Sequence, residues 1–170
     1  MNWYRYILGA LLILILQLLA SAFINIWPPL YIAIIPLFVI LLPVQTDTYI
    51  LMFCGFAIGL LTDALSDGIL GLNAAACTLL AACKNMIIRP MQRYDIQPEA
   101  FDLTSADFDS RKLLTLFFLC YLVFFIAYIP LDSIGASSFL FMLFRLVINV
   151  VVNVIIAYLL ERLWIRRIFS

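Results

Sequence analysis

From about Tyr6 to Ile24, Pro29 to Val44, Tyr49 to Leu65, Ile69 to Ile88, Leu113 to Leu131 and Phe139 to Leu160 the chain is nearly free of charge. Runs of this length match the roughly 17–25 residues that cross a hydrocarbon core as a helix. In that solvent each backbone N–H and C=O must be satisfied inside the protein, which makes helices the natural solution. The pattern predicts an all-α polytopic membrane protein of six transmembrane helices, a single integral membrane domain over 1–170. The second run is short, bounded by Pro28, Pro29 and Pro43 and interrupted by Pro36, so a kinked helix is expected there. Arg5, the first apolar run and Ala20-Ser21-Ala22 loosely fit a secretory signal. That run exceeds the roughly 7–15 apolar residues of such a signal, and it reads as a first span.

Composition narrows the function. Of 170 residues 66% are apolar and 12% charged, with a mean hydropathy of +1.15, which excludes a soluble enzyme. Ten basic and ten acidic residues leave no net charge, and no basic face points to nucleic acid. Histidine is absent, which removes imidazole as a base and as a metal ligand. Cys54, Cys77, Cys83 and Cys120 all lie in apolar stretches, where cysteine acts as a small hydrophobe. No set of acids suited to holding a metal is apparent, and no cofactor is expected.

Charge position orients the chain. With six crossings and both termini in the cytoplasm, the inner face receives Arg5, Lys84, Arg89, Arg93, Arg111, Lys112, Arg162, Arg166 and Arg167, nine of the ten basic residues. The outer connections then hold Asp67 and Asp132 and no Lys or Arg. If the second run only dipped into the bilayer, all these basic residues after Arg5 would move outside, so it is expected to cross. The inner loop 89–112 is long enough to be either a solvated linker or a docking segment, with Phe101 and Phe108 as contacts in the second case. Thr104-Ser105-Ala106-Asp107 has the form of a capping box and predicts a short helix before the fifth span. Trp164 with Arg162, Arg166 and Arg167 forms an interfacial anchor on membrane lipid.

Polar residues within the spans are the informative ones, because each needs a partner. Gly55, Gly59, Asp63 and Asp67 recur every four residues along one face of the third span, and Gly55-x-x-x-Gly59 permits close helix approach. The fourth span offers Gly71, Ala75, Thr78 and Ala82 as a matching small face. A tight antiparallel hairpin turned by Ser66, Asp67 and Gly68 is expected. The sixth span carries Arg145, Asn149 and Asn153, with Ala157 continuing the line. This stripe belongs in the bundle interior. Arg145 and Asp63 sit at similar depth and form the natural ion pair, which gives an expected buried polar network of Asp63, Arg145, Asn149 and Asn153. Snorkelling of Arg145 to the interface is the competing account.

The stretch Gly59-Leu60-Leu61-Thr62-Asp63-Ala64-Leu65-Ser66-Asp67-Gly68-Ile69-Leu70-Gly71-Leu72-Asn73-Ala74 resembles the central hairpin of the bacterial rod shape-determining MreD family. That family shows Gly-Leu-Leu-x-Asp, a short turn and Leu-Gly-x-x-Ala, matched here by Gly59, Leu60, Leu61, Asp63, Leu70, Gly71 and Ala74. Chain length and a basic C-terminal end are also similar. The resemblance implies a non-enzymatic scaffold in the bacterial cytoplasmic (inner) membrane. Such a scaffold binds an MreC-like bitopic protein and helps couple MreB filaments to the synthases that build peptidoglycan. The Arg145, Asn149 and Asn153 stripe is outside the family pattern. A rival reading is a substrate-binding subunit of an energy-coupling-factor vitamin transporter, with Asp63 and Arg145 gripping a small zwitterion. Against it, the first span lacks an Ala-x-x-x-Ala face, since Ala10 is followed four residues later by Leu14 and Ala20 by Ile24.

Overall fold

The computed structural model describes residues 3–23, 30–43, 46–66, 69–91, 110–133 and 138–162. Asp67, the capping-box segment, Phe101, Phe108, Trp164, Arg166 and Arg167 lie outside them. Among the described residues the chain is entirely helical in its regular structure. The elements are α1 (Trp3–Phe23), α2 (Ile35–Leu41), α3 (Thr48–Leu65), α4 (Leu72–Ile88), α5 (Ser110–Asp132) and α6 (Phe139–Leu160), with a single 3₁₀ turn, Arg89–Met91, closing α4. The segments Thr48–Leu65, Arg111–Asp132 and Phe139–Leu160 are each long and apolar enough to cross a membrane, and Leu8–Ala22 and Leu72–Ile88 are shorter apolar helices. These are the features of a membrane protein.

Helices α3, α4, α5 and α6 pack in chain order, each on the next, while α2 reaches α1, α3, α4 and α5. The burial pattern differs from that of a water-soluble bundle on the outside, which is apolar. On α6, Val147, Val151, Ile155 and Leu159 face outward at four-residue intervals, while Asn149, Asn153 and Ala157 are buried. On α3, Phe53, Phe56 and Leu60 are exposed, whereas Thr62 and Asp63 are buried. An apolar coat with the polar groups of the spans turned inward is what a hydrocarbon solvent selects, because only the interior can satisfy them. The centre is filled from α5, whose Phe117, Tyr121, Phe124 and Phe125 are all buried; the last two meet edge to face at 5.2 Å.

The second run departs from the expected kinked helix. Residues 30–34 are without regular structure, and helix forms only over Ile35–Leu41. Pro36 explains the boundary. It stands in the first turn of α2, where a missing N–H does no harm, but it could not donate to the Ile32 carbonyl if the helix began earlier. The backbone before it therefore needs partners from elsewhere in the bundle.

Candidate functional site

Asp63, near the C-terminal end of α3, faces the start of α4. Its Oδ2 accepts the Gly71 N–H at 2.9 Å and the Ala74 N–H at 3.2 Å. Its Oδ1 accepts the Asn73 N–H at 3.2 Å and the Asn73 Nδ2 at 2.8 Å. The first turn of a helix leaves N–H groups without internal partners, and its dipole favours an anion. Gly71, the residue before α4, has no side chain to supply a cap, so Asp63 caps α4 from the neighbouring helix. Gly71 has φ +93°, the left-handed region that suits glycine and lets the turn bring these amides together.

Close helix approach completes the hairpin. A Cβ on Gly59 would lie 2.6 Å from the Ala74 Cα and 2.7 Å from its nitrogen. At Gly55 it would lie 3.0 Å from the Cys77 carbonyl oxygen and 3.5 Å from the Ala81 Cβ. The expected tight hairpin thus forms, but its α4 face is corrected. Ala74, Cys77 and Ala81 pack on the glycines, while Ala75 is exposed. The face is rotated by one residue because the Asp63 cap fixes where α4 begins, at Leu72, with Ala74 in its first turn.

Residues 30–34 are held from two sides. From α6, Asn149 Oδ1 accepts the Tyr31 N–H at 2.7 Å, and Asn153 Oδ1 accepts the Ala33 N–H at 2.7 Å. Asn153 Nδ2 donates to the Tyr31 carbonyl at 2.8 Å. From α1, Gln17 Oε1 accepts the Ile34 N–H and its Nε2 donates to the Ile32 carbonyl at 2.9 Å, the one that Pro36 cannot serve. Tyr121 adds its hydroxyl to the Ala33 carbonyl at 3.0 Å. The N–H groups of Tyr31 and Ala33 thus meet α6, while Ile32 and Ile34 meet α1. At the other end of α2, Lys84 Nζ donates to the carbonyls of Val39, at 2.9 Å, and Leu42. Lys84 is fully buried and caps this helix end, so it does not belong to the membrane-surface charges among which the sequence placed it.

The pairing expected between Asp63 and Arg145 is also corrected. Arg145 Nη2 forms its ion pair with Asp132 at 2.5 Å, and Nη1 donates to Ser133 Oγ at 3.3 Å. The four donors around Asp63 come from the α4 end. Asp63, Asn149 and Asn153 nevertheless share one network, and its hub is Tyr31. The Tyr31 hydroxyl donates to Asn73 Oδ1 at 3.1 Å, while its backbone meets both α6 asparagines. Arg145 touches this network through its backbone, whose carbonyl accepts Asn149 Nδ2 at 2.7 Å.

The residues that sequence reasoning missed are Gln17, Tyr31, Lys84 and Tyr121. Gln17 had a readable signal as the only carboxamide in the first span, and Lys84 as the only cation within the fourth. A cavity of about 710 Å³ opens beside the network, walled by the end of α1, residues 30–32, the α3–α4 junction and the end of α5. Among the described residues no three Cys, Asp or Glu side chains gather where they could hold a metal. No family model, curated protein or solved structure matches the chain.

Proposed function

We propose that this chain is a non-enzymatic scaffold of the cell-wall elongation machinery, similar to the MreD family, lying in the bacterial cytoplasmic membrane. In this reading it binds an MreC-like bitopic protein and through it helps couple MreB filaments to peptidoglycan synthases. The observation that carries the reading is how the residues of the resemblance work together. Gly59, Asp63, Gly71 and Ala74 meet at one junction, where Gly59 lets Ala74 approach and Asp63 accepts the amides of Gly71 and Ala74. Four of the seven matched residues thus serve one contact, a structural unit that suits a protein whose task is to hold a shape for partners.

The proposed topology has six crossings with both termini in the cytoplasm. Its weakest crossing is residues 30–43, where α1, α5 and α6 supply the backbone of 30–34 with the partners that a bilayer interior requires. Without buried Lys84, eight basic residues remain for the cytoplasmic side, which leaves the charge argument intact. The transporter reading loses its main support, since Asp63 and Arg145 do not form a joint grip.

The test is affinity purification of the tagged chain from native membranes in mild detergent, with co-purifying proteins identified by mass spectrometry. Recovery of an MreC-like protein with wall synthases is expected. Recovery of ATPase subunits with a membrane coupling subunit would overturn the scaffold in favour of the transporter.

A further inference from the structure

We draw no further inference here: the strongest candidate, the outward apolar face of α6 formed by Val147, Val151, Ile155 and Leu159, carries nothing because no feature of the structure shows what covers it.

Discussion

In the α3–α4 hairpin the helix interiors satisfy their own backbone, and the first turn of α4 takes its partners from Asp63. There, side chains contribute mainly by being small, and one carboxylate serves the exposed helix end. In residues 30–43 the balance is reversed. The backbone is broken by proline, and five long polar side chains, Gln17, Lys84, Tyr121, Asn149 and Asn153, supply the partners it lacks. The hairpin is sensitive to added volume and the broken segment to lost polarity. Each of the following substitutions is expected to hurt one region through its own kind of contact.

The largest effect is expected at Gly59. A single methyl there meets backbone atoms of Asn73 and Ala74 at under 3 Å, and neither can yield without separating the helices. Gly59→Ala should cost about 3 kcal/mol or more, and Gly59→Leu should abolish assembly. Gly55→Ala, at 3.0 Å from one carbonyl oxygen, should cost about 1 kcal/mol. Both are measured by denaturant unfolding in detergent or by abundance in the membrane. Equal losses at the two glycines would show that helix approach is not graded along the hairpin.

Asp63→Asn comes next. The amide keeps one acceptor oxygen where two now serve four donors, and it places an NH₂ against N–H groups of the α4 turn. A loss of about 2–3 kcal/mol is expected. Substituting Asn at a helix cap normally costs little, so a loss below about 0.5 kcal/mol would mean that Asp63 acts as an ordinary cap without its charge mattering.

Within the broken segment, Asn153→Leu is nearly isosteric and leaves the Ala33 N–H and the Tyr31 carbonyl without these partners. The expected cost is about 2 kcal/mol, with Gln17→Leu similar because it strips Ile34 and Ile32. Accelerated amide exchange confined to residues 30–34 would separate this loss from general unfolding. If the variants unfold earlier without local exchange, the polar clamp is not what holds the segment.

The Arg145–Asp132 pair should show a coupling of only about 1 kcal/mol in a double-mutant cycle, because both side chains keep some exposure and solvent screens them. A parallel cycle between Arg145 and Asp63 should show coupling near zero. Coupling larger than in the first cycle would restore the pairing that sequence depth alone suggested.

What could be read from sequence follows the same division. The all-helical class and the hairpin were legible because apolar run length and four-residue spacing are local properties of the chain. That Asn149 and Asn153 face inward was legible for the same reason. Their partner was not, since it depends on where Pro36 stops α2 and on backbone with no periodicity to betray it. The Arg145 partner was missed for a different reason: Asp132 was assigned to a connection, whereas α5 continues through it and presents it to α6.

The smallest expected effect tests the finest of these corrections. Helical spacing from Gly71 places Ala75 on the packing face, but Gly71 precedes α4 and its left-handed backbone breaks the helical count. With Asp63 fixing the first turn, Ala74 is fully buried and Ala75 points away from α3. Ala75→Leu should therefore shift stability by no more than about 0.5 kcal/mol, as exposed substitutions usually do, and membrane abundance should be unchanged. A loss of about 2 kcal/mol or more would indicate an overpacked contact at Ala75. The cap by Asp63 would then not set the rotation of α4, and the face read from spacing would be the one in contact.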